Sequence, residues 1–399
     1  MIGAGRGDRM GLNFPPIKKF ECTECKYADY RISAREIGET IPGGCPRCGG
    51  NLRVVAEEVP DWLKRPLETV AKKFEILDLV ARRDRIELEV SSRNIRSAFR
   101  YVLKVLEKED YLPVMREHEG ELRLTLVKRP AIREGRILTN VALFAATVAS
   151  TFIAGYYLFD SSFTSAALFS ASLLTMLVAH ELGHKLSARR NRVASTLPYF
   201  IPAPPPFPLG TFGAVINIKS PIPTKEALVE MGASGPITGF VLSVIITFIG
   251  LSLSVPSQLE NPLPFVPLMF GLLQLISLGR ITSAFELNPL TFSGWVVMLL
   301  TMFNMIPVGQ LDGGHIARAV LGRDRHFLLT RMLGFLLMLL GLAFPDMPIF
   351  FVWGLLILIF FRSYHPGALD DISPLSLRHK FLAAAALAVF VLCLPLPLG

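Results

Sequence analysis

The uneven placement of apolar residues limits this 399-residue chain more than any other feature. Hydrophobic side chains make up 51% of it, dominating after about residue 137, whereas the first third is charged. A bilayer offers no partners to backbone N–H and C=O groups, so an apolar run of about 20 residues crosses it as a helix. The pattern predicts a polytopic α-helical membrane region preceded by small soluble domains. The net charge of +8 does not call for nucleic acid, because much of the Lys and Arg flanks apolar runs, as the positive-inside rule requires. No apolar h-region follows the basic residues of Met1 to Phe20, so no cleavable signal peptide is expected. The first third is therefore expected to stay in the cytosol.

The apolar region resolves into about seven crossings: Ile137 to Phe159, Phe163 to Leu186, Ile237 to Val255, Phe292 to Pro307, Phe327 to Phe344, Pro348 to Phe361 and Phe381 to Leu394. Phe265 to Leu278 is short and bracketed by Pro264, Pro267, Gly279 and Arg280. If it crossed, the arginines 318, 323 and 325 would lie outside, so it is expected to be re-entrant. Residues 193 to 233 are not a span. Six prolines between Leu197 and Pro208 exclude a helix, and Leu209 to Ile218 reads as an extended strand in a membrane-associated β-loop. Such a loop is tolerated only against protein or a water-filled cavity. Beside a catalytic group, its edge could pair with an unwound peptide.

Upstream, Cys22-Thr23-Glu24-Cys25 and Cys45-Pro46-Arg47-Cys48 form two C-x2-C knuckles separated by 19 residues. Four thiolates at this spacing fit a closed structural zinc site, and a cytosolic location disfavours two disulfides. The expected order is a tail at 1–19, a zinc ribbon at 20–55, a cytosolic α+β domain at 60–130 and the membrane domain at 137–399. In the α+β domain, Phe74 to Val80, Arg85 to Val90 and Glu121 to Val127 read as strands, and Asn94 caps a helix reaching Leu106. A basic linker, Lys128 to Arg136, leads into the first crossing. Without an aromatic-basic stripe, no nucleic acid is expected as partner; protein docking through the ribbon and α+β domain is. Cys393 stands alone in an apolar run and carries no expected chemistry.

Within the second crossing stands His180-Glu181-Leu182-Gly183-His184. On a helix, residues four apart project from one face, which suits two ligands of a tetrahedral Zn²⁺. Glu181 between them fits a general base acting on water. Ionisable groups at membrane depth are costly, and a functional site is their default reading. Lys185 and Arg189 to Arg192 follow, so the motif is expected in the cytosolic third of its helix. The crossing that ends near Pro307 leads to Gln310-Leu311-Asp312-Gly313-Gly314-His315. Asp312 falls at the depth inferred for the two histidines, and two histidines plus a carboxylate leave a fourth position for water. Gly313 and Gly314 are expected to loosen the helix so that Asp312 turns inward. Asn304 is expected two turns up the same face, able to donate to a substrate carbonyl or developing oxyanion. His315 is expected to pack beside the site. His365 and His379 are expected at membrane ends, and His118 on a solvated loop.

With these residues in view, the chain resembles the site-2 protease family of intramembrane zinc metalloproteases, in its archaeal and EGY-like branch. The likeness rests on His180 to His184, the glycine-containing β-loop and Asn304 through Asp312-Gly313-Gly314, and more weakly on Gly50-Asn51-Leu52-Arg53. The resemblance implies catalytic Zn²⁺ on His180, His184 and Asp312, with Glu181 as general base. It implies hydrolysis of peptide bonds in or beside transmembrane segments of membrane proteins. The ribbon and α+β domain would then take the regulatory place that a PDZ-like segment holds in many bacterial members. A catalytically inactive membrane metal-binding or scaffold homologue is the alternative. A metal transporter is disfavoured because the candidate ligands cluster at one depth.

Overall fold

The computed structural model describes residues 16–130, 136–255, 263, 265–282, 285–344 and 348–397. Most of the expected tail, of the basic linker and of the turn at 345–347 lies outside the described residues. The chain forms two units: one runs to Ala131 and takes up Leu369–Ser373, the other holds Ile132–Ala368 and Pro374–Gly399.

The first unit is an α+β structure. In chain order it contains β1 (Ile17–Cys22), β2 (Ala28–Ile32), β3 (Thr40–Ile41), β4 (Leu52–Glu57), α1 (Asp61–Ala71), β5 (Glu75–Ala81), β6 (Arg85–Ser91), α2 (Ile95–Leu106), β7 (Tyr111–His118) and β8 (Glu121–Lys128). The strands alternate apolar and polar positions, and β6 buries Ile86, Leu88 and Val90 on one face. Asn94 accepts from the Ser97 N–H and starts α2, which buries Ala98, Phe99, Val102 and Leu106 against that face. The sequence separates a ribbon from an α+β domain, but β2 pairs with β5 and joins them in one eight-stranded sheet, β3-β4-β1-β2-β5-β6-β8-β7. At the join, the fully buried Asp29 accepts from Arg31 Nη2 at 2.7 Å and from the Tyr27 hydroxyl at 3.0 Å. Leu369–Ser373 adds to this unit where the Met115 N–H donates to the Leu369 carbonyl at 2.8 Å.

The second unit is mostly helical. It contains α3 (Ile137–Leu158), α4 (Phe163–Arg190), β9 (Tyr199–Pro202), β10 (Thr211–Val215), α5 (Lys225–Leu253), β11 (Phe265–Pro267), α6 (Leu268–Leu278), α7 (Pro289–Met305), α8 (Asp312–Leu321), α9 (Arg323–Ala343), α10 (Pro348–Phe360), α11 (Leu377–Leu392) and β12 (Pro395–Pro397). Among the described residues, four helices (α3, α4, α5 and α9) are long and apolar enough to cross a membrane. Their outward faces expose large apolar residues such as Leu138, Tyr157, Met332 and Leu339, a surface suited to lipid. Inside, buried hydroxyls pair between helices: Thr151 with Ser170 at 2.7 Å, and Ser172 with Ser293 at 2.7 Å.

Two stretches differ from expectation. α5 begins at Lys225, not near Ile237, because Thr224 caps it by accepting from the Ala227 N–H and Pro236 is accommodated within it. α7 stops at Met305, before Pro307, and Asp312 starts the separate helix α8. The short α6 is held through β11, which pairs with β12.

The proline-rich loop takes the extended form expected of it. β9 and β10 form an antiparallel hairpin, with Ala214 opposite Phe200 and Val215 opposite Tyr199. α3 satisfies backbone groups of this loop that lipid could not. Asn140 Nδ2 donates to the carbonyls of Leu197 at 3.0 Å and Pro198 at 2.9 Å, and the Ser150 hydroxyl donates to Gly210 at 2.6 Å.

Candidate active site

His180 and His184 lie on one face of α4, as their spacing requires, and Asp312 meets them from the start of α8. The Nε2 atoms of the histidines are 3.1 Å apart, and Asp312 Oδ2 lies 3.4 Å from that of His180 and 3.3 Å from that of His184. Ligands held ~2.0–2.1 Å from one tetrahedral zinc ion stand about 3.3 Å apart. The three donors fit that ion. His184 is oriented from behind, since its Nδ1–H donates to the Met231 carbonyl at 2.7 Å and leaves the Nε2 lone pair facing the other donors.

Glu181 is buried and opens on the same cavity, of about 190 Å³, which is also lined by Ala214 to Ile216, Asn304 and His315. Asn304 thus reaches the site, but not from two turns up the helix that bears Asp312. It stands in the last turn of α7, and the loop from Ile306 to Leu311 separates it from α8. Ala214 and Val215 of β10, which pairs with β9, line the cavity, so an extended strand stands beside the donors.

The glycines act differently from the expectation. A Cβ at Gly313 would strike the Met305 carbonyl, and one at Gly314 the carbonyls of Val308 and Gly309. They let α8 start against the backbone of the preceding loop, which sets Asp312 at the histidines. They do not loosen a helix. On α5, a Cβ at Gly235 would land on His184 Nε2. The Gly232-Ala233-Ser234-Gly235 run reads in sequence as a packing surface, and at Gly235 it packs against His184, one of the three candidate donors.

His365 also departs from its expected interfacial place. It is buried, and its Nε2 lies 2.9 Å from Nδ1 of His315. His379 pairs with Glu230 through a 3.0 Å contact and stays away from the donors. His118 is exposed. The signals for the missed residues are a lone histidine in a buried loop and, for Asn140, a lone amide in an apolar helix.

The four ribbon cysteines form a second donor set in the first unit. Cys22 Sγ is 3.5 Å from Cys48 Sγ and Cys25 Sγ is 3.6 Å from Cys45 Sγ, and all four thiols are free of disulfides. Zinc–sulfur bonds of ~2.3 Å put tetrahedral sulfurs about 3.8 Å apart, so these residues also fit an ion. The N–H groups of Glu24 and Gly50 each point at a cysteine sulfur two residues back, at 3.4 Å. Cys393 is buried among apolar side chains.

Residues 168–344 match the model of Peptidase family M50. The chain is 35% identical over 243 residues to "Probable zinc metalloprotease EGY1, chloroplastic" of Arabidopsis thaliana, across 58% of this chain and 43% of that protein. The rice protein of the same description is 34% identical over 237 residues, 56% of this chain and 39% of its own length. "Probable zinc metalloprotease EGY2, chloroplastic" of Arabidopsis thaliana is 32% identical over 244 residues, 57% of this chain and 41% of its own. The match therefore spans less than half the length of each of these relatives. No solved structure matches the chain.

Proposed function

We propose that this chain, which carries a Peptidase family M50 (site-2 protease) domain, is an intramembrane zinc metalloprotease that hydrolyses peptide bonds in or beside transmembrane segments of other membrane proteins. The observation that carries this reading is the convergence of His180, His184 and Asp312 on one point, with Glu181 on the same cavity. A zinc ion held there would supply a Lewis acid that polarises a peptide carbonyl and lowers the pKa of water toward about 7.

The chain's own groups supply the rest. Glu181 takes the proton of the attacking water on a carboxylate oxygen and delivers it to the leaving amine nitrogen. Asn304 donates from its amide to the oxygen on which charge develops. Helical carbonyls are already hydrogen-bonded and shielded, so the substrate must open locally. An opened peptide could pair with the edge of β10 and stay extended.

The decisive test compares the purified full chain with Glu181→Gln on a panel of single-span substrates. The wild type is expected to cleave and the variant to lose roughly 10²–10⁴-fold, the range that a positioned acid–base group contributes. Equal cleavage by both would leave the inactive metal-binding homologue as the better reading.

About seven crossings, with α6 re-entrant and the active site and N-terminal unit on the cytosolic side, complete the proposal. Arg189 and Arg190 in the last turn of α4 support that orientation. Impermeant thiol labelling of Ser161→Cys and Arg192→Cys in a variant without the native cysteines is expected to mark opposite faces; reaction of both from one side would refute it. Zinc on the four ribbon cysteines, and docking of substrates or regulators through the N-terminal unit, belong to the same reading.

A further inference from the structure

His315 follows Asp312 by one turn of α8 and lines the cavity that Glu181 opens on. Its Nδ1 lies 2.9 Å from Nε2 of His365, a residue that does not line the cavity, with the two rings edge to face at 89°. The Nδ1 of His365 lies 2.9 Å from the backbone nitrogen of Gly367. A backbone N–H only donates, so Nδ1 of His365 accepts and the proton of the neutral ring sits on Nε2. That N–H donates to Nδ1 of His315, which must then be bare. The proton of neutral His315 is left on Nε2. Burial keeps His365 neutral, with its pKa pushed down to about 3 and His315, His326 and Arg318 adding to the effect. His326 packs its ring edge to face on His365 at 5.7 Å, and neither of its ring nitrogens has a hydrogen-bond partner among the described residues. The two close nitrogens of His315 and His365 do not make a metal site, since no third ligand atom joins them among the described residues.

The cavity is rich in acceptors. Glu181 and Asp312 are carboxylates, and the histidine lone pairs are turned to the common point. A peptide entering it brings a carbonyl oxygen that needs a donor. We propose that His315, fixed by His365 as the Nε2–H tautomer, is a hydrogen-bond donor to a substrate carbonyl oxygen, and that His365 is its positioning residue. This rests on the protease reading. A donor set before substrate arrives requires no reorganisation during reaction, and loss of one such donor elsewhere costs roughly 10²–10³ in kcat.

The test uses the full chain in detergent with ¹⁵N-labelled histidine, the His315 signals being assigned by their absence in His315→Gln. The wild type is expected to show a bare Nδ1 and a protonated Nε2 on His315, and His365→Leu to lose that preference. His315→Phe is expected to lower kcat by roughly 10²–10³ with KM and zinc content near wild type. His315→Gln and His365→Gln, which keep an N–H near the original Nε2, are expected to recover most of the rate. A protonated Nδ1 on wild-type His315, a tautomer unchanged in His365→Leu, zinc lost in His315→Phe, or wild-type cleavage that His315→Phe leaves intact would each overturn the proposal. Absence of cleavage by the wild type would overturn the protease reading and this proposal with it.

Discussion

Gly235→Ala separates the local and the tertiary logic of this protein. Judged by α5 alone, the change should stabilise, since Ala is favoured over Gly in a helix interior by ~0.8–1.0 kcal/mol. The structure predicts the opposite. A Cβ at Gly235 would overlap Nε2 of His184, whose ring is already tied to Met231 by a 2.7 Å hydrogen bond. Either α5 recedes or the imidazole swings out. Overpacking of this kind costs about 1–3 kcal/mol. Charged to the metal site, that is roughly a 5- to 150-fold loss of zinc affinity. The assay is zinc per chain by elemental analysis across a chelator series, alongside cleavage of a single-span substrate. The variant is expected to lose its more weakly held zinc and its activity while keeping the ribbon zinc. Gly271→Ala in α6 is the control, because its Cβ would meet Ile281 Cδ1 at an ordinary 3.5 Å. A Gly235→Ala protein with full zinc and wild-type cleavage would refute the reasoning.

Asn140→Leu replaces a polar residue of an apolar helix with a lipid-friendly one, yet it strips the carbonyls of Leu197 and Pro198 of their donor. It is expected to destabilise by about 1–3 kcal/mol, read as a lower melting temperature in detergent; unchanged melting would count against the pairing. Cys45→Ser is expected to remove the ribbon zinc and raise hydrogen exchange in β1 and β4, leaving the zinc on His180 unchanged. Loss of both ions would show that the sites are not independent. Removing residues 1–130 takes away the strand that pairs with Leu369, and the truncated protein is expected to cleave with altered rate or substrate selectivity. An unchanged profile would rule out a regulatory role for that unit.

Legibility from sequence followed the range of the interaction. The helices α3, α4 and α9 begin and end close to their expected bounds, because an apolar run and its polar flanks specify them locally. The Asn94 cap and the alternation in β6 were readable for the same reason. α5 starts well before the expected Ile237, because the Thr224 cap and the close contacts that Gly232 and Gly235 permit carry a continuous helix through Pro236.

The sequence by itself determined the donors. Periodicity alone puts His180 and His184 on one face, and the paired C-x2-C knuckles gather four sulfurs, since in each case the geometry lies within a few residues. Only the tertiary structure decided how distant pieces meet. Asp312 reaches the histidines because α7 ends early and Gly313 and Gly314 let α8 start against backbone. β2 joins β5 to make one sheet of two expected modules. His365 comes from a loop 50 residues on to set the proton of His315. These outcomes turn on steric fit and hydrogen-bond complementarity between segments far apart in the chain, which no local pattern encodes.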